Sequence, residues 1–600
     1  MKKYLVLLLV LLPSLGHAQY WGERATERSF EQSGLYFKSH FLNTYGLVRF
    51  RDAVVGLIDD PFLELQVNPA NLPQVGDGLG LVYVDFRGDR TEPKVISRYY
   101  AAPYYDMGGF FTDPRWYRVT RQEPEPVFSL GFLAYPFREK LRKVFIGATY
   151  QIIYKEEPFY TMPSWIYYAT NGYDSFGERS YSDKETIPTQ ERYYGEDELS
   201  TEAHLFSAFL GSPVSDQVTA GVSINTVSHS RDGSYVYLYN DEYGTTKDWD
   251  YRYYQERSRN QDYGHFDLAG GLQYAATPRF SAGVKVGYLS GDADQQYAAL
   301  DSSRHAYGKL HQSSSWGQHY FRSLTSQSWH RDGHIWYAGV DFRQRLEKGK
   351  QIGGYYKYSQ GDTDLRSASQ IVDTSNHISY WWSPYDTATY RYWGNSATRD
   401  TRRGTGKLSQ FTHQGLLNLR WNLDAKSRLS TGLYFLRDKT DLTSNEPVLA
   451  DRWSQYAHTR NDTTQYDDFR RIYEDKRLEW RYRSTYWTIQ IPVFLTLDLD
   501  EHFSLMLGVN RILESWEIAD QTTTFFTRRE KTESGQSTTE TNFAERYTSP
   551  TKKYTEDYTE LTGSLEMSVS PRFRIRLTLD PETEEELRIS QWWLSFRLNL

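Results

Sequence analysis

The last ten residues constrain this chain more than any other stretch. In residues 591–600, Trp592, Leu594, Phe596, Leu598 and Leu600 share one face of an extended strand, while Gln591, Ser595, Arg597 and Asn599 share the other. Successive side chains of a strand point to opposite faces. A strand of this kind needs an apolar medium on one side and a polar filling on the other. The sequence stops inside it, so its backbone groups must be paired by neighbouring strands.

The rest of the chain restricts what that medium can be. Mean hydropathy is -0.70 and 39% of residues are hydrophobic. After residue 20 no run approaches the roughly 20 apolar residues that a membrane-crossing helix needs. A membrane β-barrel conceals its signal, because only every second residue of a roughly ten-residue strand must be apolar. The terminal strand resembles the C-terminal signal of bacterial outer-membrane β-barrels. That resemblance implies an apolar face toward outer-membrane lipid, a polar face toward the lumen, and engagement of the barrel assembly machinery through this strand. The 50 Tyr and 17 Trp suit aromatic girdles at the two bilayer interfaces. A net charge of -8 gives no expectation of a nucleic-acid partner. The absence of Cys excludes disulfides and thiolate metal sites.

Residues 1–18 read as a secretory signal. Lys2 and Lys3 form a positive region, Leu5 to Leu12 a short apolar core, and Gly16-His17-Ala18 a small-x-small cleavage site. The expected location is therefore the cell outer membrane.

Residues 19–77 are not strand-like. Gly46 to Ile58 is mostly apolar with interspersed charges and fits a short helix. Asp60 before Pro61 is a helix start, since Pro is preferred at the first helical position. Asn68-Pro69 marks a turn. With Asn68, Pro69, Ala70 and Leu72, this region resembles the long-chain fatty-acid transporter (FadL-type) superfamily, which includes shuttle barrels of type IX secretion. That family carries an Asn-Pro-Ala-Gly-Leu-like motif between a short acidic helix and the first barrel strand. Asn71 departs from the usual Gly, although Asn tolerates the left-handed conformation better than most residues. The resemblance implies that residues 19–77 fold into the lumen as a plug whose turn is Asn68, Pro69, Ala70 and Asn71.

From residue 78 onward a unit of strand, short turn, strand and long polar segment recurs. Paired strands are expected at 127–135 and 144–154, 203–210 and 218–228, 266–275 and 280–290, 334–344 and 351–360, 411–421 and 428–439, 487–499 and 503–511, and 561–569 and 573–579. With 78–87 and the terminal strand this gives an all-β, transmembrane antiparallel barrel of about 16 strands, or 14 as the alternative, over residues 78–600. Short turns are periplasmic in such barrels and long loops extracellular. The extracellular loops are expected at 155–202, 229–265, 291–333, 361–407, 440–484 and 512–557, with some strands running past the membrane as hairpins, for instance over 522–528.

Parity selects the lumen-facing charges: Lys285, Asp341, Arg343, Lys357, Arg420, Asp498, Glu566, Arg574, Arg576 and Arg597 lie opposite the apolar face. An Arg or Lys facing lipid near the midplane costs about 2–4 kcal/mol. These charges fit either a polar conduit and plug-binding wall or structural ion pairs filling the interior. Glu566, Arg574, Arg576 and Arg597 are expected to form one network, joined by Asp59 and Asp60. Asp292 and Asp294, like Asp362 and Asp364, have the spacing of oxygen ligands for calcium but lack the full ligand series, and read as polar turns at strand ends. No His-Glu-x-x-His or Gly-x-Ser-x-Gly motif is present. The expectation is a non-enzymatic barrel with no cofactor and no metal. Three functions follow. The first is a transport channel for a hydrophobic or poorly soluble small ligand, as the resemblance implies. The second is a barrel that binds or shuttles partner proteins. The third is a loop-based surface adhesin.

Overall fold

The computed structural model describes residues 51–71, 80–89, 95–99, 116–120, 126–135, 144–157, 176–180, 186–190, 192–243, 249–308, 315–347, 349–385, 387–548, 551–582 and 588–600. The signal segment 1–18 and residues 19–50 and 72–79 lie outside these.

Sixteen strands close one antiparallel ring. In chain order they are β1 (Gly80–Asp89), β2 (Pro126–Ala134), β3 (Phe145–Glu157), β4 (Arg192–Pro213), β5 (Val218–Tyr243), β6 (Trp249–Thr277), β7 (Phe280–Tyr307) and β8 (Ser315–Arg345). They continue with β9 (Lys350–Ser383), β10 (Ala388–Asn422), β11 (Ser427–Arg460), β12 (Thr463–Asp498), β13 (Phe503–Glu533), β14 (Lys552–Ser568), β15 (Phe573–Glu582) and β16 (Arg588–Asn599). Each pairs with its sequence neighbours. The ring closes where β1 meets β16, from Leu81 opposite Asn599 to Asp89 opposite Gln591. The Leu600 backbone N–H donates to the Gly80 carbonyl at 2.8 Å, so pairing persists to the last residue. A seventeenth strand, Gln536–Thr548, pairs only with the upper part of β13.

Alternation explains the two surfaces. On β7, Val284 and Val286 are 50% and 62% exposed, while Lys285 between them points inward. On β16, Trp592 and Leu598 face outward, while Trp593 and Ser595 are buried on the inner side. The outward residues form an apolar belt around a polar interior, and a closed ring leaves no unpaired edge for lipid to meet. The protein is an outer-membrane β-barrel.

Short turns join the strands at one end, where side chains replace missing backbone partners. The Asp500 carboxylate accepts from the His502 and Phe503 amides, and the Ser570 hydroxyl accepts from the Arg572 and Phe573 amides. By the rule for these barrels this end is periplasmic.

The segments 229–265, 291–333, 361–407, 440–484 and 512–557, expected as loops, are mostly strand. They carry β5–β13 to lengths of 26 to 36 residues, where nine to eleven suffice to cross a membrane. Two of their far turns are tight. Asn461-Asp462 and Ser534-Gly535 both have positive φ, the two-residue hairpin geometry that matches strand twist. The fourth-strand side of 155–202 is also strand, and part of that stretch lies outside the described residues. Polar–apolar alternation fades where both barrel faces meet polar surroundings, so the extensions read as loops. Asp292, Asp294, Asp362 and Asp364 accordingly sit within strands, facing outward, rather than in turns.

By contrast β15, β16, β1 and β2 have 9 to 12 residues. Among the described strands the wall is tall on the β5–β13 side and low on the β15–β2 side.

Candidate functional site

Residues 51–71 lie inside the ring. They begin with a 3₁₀ turn, Arg51–Val54, and continue into helix α1, Pro61–Val67. Asp60 caps α1, its carboxylate accepting from the Phe62 and Leu63 amides at 2.9 and 3.4 Å. Pro61 stands at the first helical position, where its missing N–H costs nothing.

Apolar side chains carry the segment across the lumen. Phe62 and Leu65 join Leu81 and Tyr83 of β1, Leu133 of β2, Phe145 of β3 and Phe209 of β4. Val54, Leu57, Ile58 and Leu63 join Phe494 of β12 and Met506 of β13. Ala53 and Val55 join Leu416 of β10 and Tyr434 of β11. All of these residues are buried.

Polar contacts fix the remaining strands. Asn68 is central: its Nδ2 lies within hydrogen-bonding reach of the Asp341 carboxylate (2.9 Å), the Leu272 and Val284 carbonyls (3.1 and 3.4 Å) and Gln273 Oε1 (3.3 Å). Its Oδ1 accepts from the Ala70 amide at 3.0 Å and shapes the turn. Asn71 Nδ2 donates to the Glu64 carbonyl, tying the turn back to α1. Pro69 and Ala70 are buried against the wall. Side chains would collide at two wall positions: a methyl group at Gly221 meets the Pro69 carbonyl, and one at Gly271 meets Asn68 Oδ1.

Nine of the ten charges that parity selects divide into two groups. Five surround the segment. Lys285 Nζ donates to the Gln66 carbonyl at 2.7 Å. Arg343 donates to Glu64 at 2.7 Å. Asp341 accepts from Asn68. Arg420 forms a two-pronged pair with Asp59 at 2.6 and 2.5 Å. Lys357 stands over the Tyr337 ring, 4.6 Å from its centroid, with Lys285 over the same ring at 5.2 Å. The other four, Glu566, Arg574, Arg576 and Arg597, meet on β14–β16 around a cavity of about 10 Å³ bordered by Pro61 and Tyr83. Glu566 accepts from Arg574 at 3.1 Å and from Arg576. Asp59 does not join this network. It is drawn to Arg420 and Arg428, on strands the sequence does not place beside it. Asp498 is exposed at the foot of β12.

Several holding residues escape sequence reading. Asn418 Nδ2 donates to the Val55 carbonyl at 3.1 Å, and Arg428 donates to Asp59 at 3.0 Å. Asn418 lies two residues before Arg420, on the same face, so parity could have found it. Glu64 and Gln66 carry no signal beyond their place in an acidic helix.

Beside the segment, a cavity of about 40 Å³ lies between Val55, Gln66, Lys285, Tyr337, Tyr355 and Lys357. That holds a water or two, against the roughly 300 Å³ or more of a small-molecule site. No group of His, Asp or Glu among the described residues is arranged to hold a metal ion.

No protein-family model matches this chain, and no curated protein does. Solved structures that it resembles include the toluene transporter TbuX of Ralstonia pickettii, 11% identical, with 90% of this chain aligned to 93% of that one and a TM-score of 0.28. A FadL homologue of Pseudomonas aeruginosa is 10% identical over 94% of this chain and 98% of that one, with a TM-score of 0.26. The copper transporter OprC is 8% identical over 88% and 81%, with a TM-score of 0.21. Likeness at this level identifies no ligand.

Proposed function

We propose that this protein is a gated outer-membrane channel for hydrophobic or poorly water-soluble small molecules, closed in the conformation described by residues 51–71. The observation that carries the reading is how the segment is held. It crosses the lumen on side-chain contacts, and among the described residues no strand pairing ties it to the wall. Such a segment can move without breaking the ring, whose hydrogen bonds run strand to strand. Beside the charges of β7–β10, what it covers includes two apolar patches: Leu81, Leu133, Phe145 and Phe209 on one side, Leu416, Phe494 and Met506 on the other. Displacing it exposes those apolar patches, and they support an apolar traveller.

Deleting residues 51–71 tests this. The barrel should still assemble and remain heat-modifiable on gels. Its conductance in a planar bilayer should rise well above the parent's, since a ring of sixteen strands is wide enough for water. Gly271→Leu, which drives into Asn68, should give a noisy intermediate. Unchanged conductance in both would refute the reading. A second reading, a barrel that binds or shuttles partner proteins, is supported by the 26- to 36-residue strands, which offer a tall surface that transport of a small molecule does not require.

A further inference from the structure

On the inner wall, Lys285 of β7 and Lys357 of β9 both stand directly opposite Gly339 of β8. Neighbouring strands lie about 4.8 Å apart, so the two lysines spring from the same height roughly 10 Å apart. The residue between them has no side chain. The cavity of about 40 Å³ beside residues 51–71 opens at this gap, bordered by Gln66, Lys285, Tyr337, Asp341, Tyr355 and Lys357. Both ammonium groups stand over the Tyr337 ring, 5.2 and 4.6 Å from its centroid.

The lining is rich in donors. An ammonium has three N–H groups, and Lys285 gives one to the Gln66 carbonyl at 2.7 Å. Gln66 is only 5% exposed, and its side-chain Nε2 meets no hydrogen-bond partner. The acceptors nearby have donors of their own. Tyr355 accepts from Gln414 at 3.0 Å, and Asp341 accepts from Asn68 at 2.9 Å. Asp267, behind Tyr337, accepts from Asn225 and from the Tyr337 hydroxyl at 2.9 and 2.7 Å. The charged side chains on the cavity wall are therefore two cations and one anion. A buried donor without an acceptor is costly, and like charges repel strongly where water is scarce. The component that satisfies both is an acceptor with a single negative charge.

We propose that this cavity binds one small monovalent anion of halide size, for which chloride is the probe, between Gln66 Nε2 and the ammonium groups of Lys285 and Lys357. The space suits an ion little larger than water and is too small for sulfate or phosphate. Gln66 belongs to the luminal segment and the lysines to the wall, so the anion bridges the two. It binds only while the segment is seated, and a ligand that binds one state stabilises that state. Chloride thus fastens residues 51–71 to β7 and β9. This consequence rests on the reading of residues 51–71 as a displaceable closure; the site itself does not.

Chloride NMR line broadening on the folded, full-length protein in detergent tests the site. The parent should show saturable excess broadening that bromide displaces and sulfate does not. The affinity should fall at least about tenfold in Lys285→Gln, Lys357→Gln and Gln66→Leu, the loss expected when one bond to a charged partner is removed. Gly339→Ala should weaken it while keeping both lysines, since the added methyl group fits, 3.3 Å from the Tyr356 carbonyl, but enters the gap. Lys350→Gln, on β9 outside the cavity, should bind as the parent does. Absence of saturable broadening, or equal broadening in Gln66→Leu and Gly339→Ala, overturns the site whether or not the lysine variants fold. Single-channel recording then tests the fastening. Replacing chloride by gluconate at fixed ionic strength should raise the parent's open fraction at least about tenfold and leave that of Gln66→Leu unchanged. An open fraction indifferent to the exchange, in a protein that binds chloride and conducts once residues 51–71 are deleted, overturns the fastening. If chloride binds but the deletion fails to conduct, the site stands and the channel reading falls.

Discussion

Asn68→Ala is the sharpest probe of how the lumen is closed. The Nδ2 group has two hydrogens and four acceptors within reach, so it satisfies two at a time. One partner is the Asp341 carboxylate, and a bond to a charged group contributes about 1.5–3 kcal/mol. The other is neutral and contributes about 0.5–1.5 kcal/mol. Alanine removes both and leaves Asp341 without a donor from the segment. A net loss of about 3 kcal/mol follows, and at 1.4 kcal/mol per decade the displaced population rises about 100-fold. Single-channel recording measures this as the open fraction, on protein first shown to be heat-modifiable. Asn68→Asp should open further still, because it sets a second carboxylate against Asp341. The deletion of residues 51–71 fixes the fully open level. If Asn68→Ala stays within about twofold of the parent while the deletion conducts, the segment is not held at this turn and the energetic reasoning fails.

Three further outcomes are expected. Deleting Leu598 to Leu600 removes the pairs of Leu598 with Val82 and Phe573 and the final bond to Gly80, so no heat-modifiable barrel should accumulate in the outer-membrane fraction; its accumulation there refutes closure through this strand. Val284→Arg faces lipid and should cost about 2–4 kcal/mol in a folding titration into bilayers, whereas Ser281→Arg, on the lumen side, should cost clearly less. In the tall wall above the membrane, burial raises the Glu474 carboxyl, but hydrogen bonds and charge from Lys476 and Arg529 outweigh this and hold it below its ordinary 4.5. A depressed carboxyl stabilises the fold above its unfolded value and ceases to as pH falls through the folded one. Protease resistance of β12 and β13 should therefore hold at pH 7 and weaken only below about pH 4.5, while Glu474→Gln, which leaves Lys476 buried, should weaken it at pH 7 by about 3–5 kcal/mol.

The membrane-crossing parts were the most legible. Where one face meets lipid and the other a polar lumen, every second residue declares itself: Val284 and Val286 are exposed on either side of Lys285, which reaches Gln66, and Leu565 is exposed next to Glu566. Higher on the wall both faces are polar, and only hairpin signals such as Asn461-Asp462 mark the strands. The capped start of α1 at Asp60-Pro61 was also legible, because capping is local chemistry. Which wall charge meets which segment charge was not: Asp59 reaches Arg420, 361 positions away, and that depends on the curvature of the closed ring. Asn418 and Gly271 matter through contacts that only the ring creates.

The two kinds of contact that hold residues 51–71 differ in what can undo them. Phe62, Leu65, Leu57 and Leu63 are fully buried, and each such side chain contributes about 1.5–3 kcal/mol. Together they outweigh the roughly 3 kcal/mol at Asn68. The ion pairs of Asp59 and Glu64 add less, since Asp59 is more than half exposed. Apolar contacts thus supply most of the hold, while Asn68, Asp59 and Glu64 set where the segment sits. Salt screens only the second kind. Raising ionic strength should therefore leave the channel closed, and an amphiphile able to compete for the surfaces of Phe145, Phe209, Phe494 and Met506 should open it. Conductance that rises with salt but not with amphiphile would reverse the ranking, and would place control of the lumen with the charges instead.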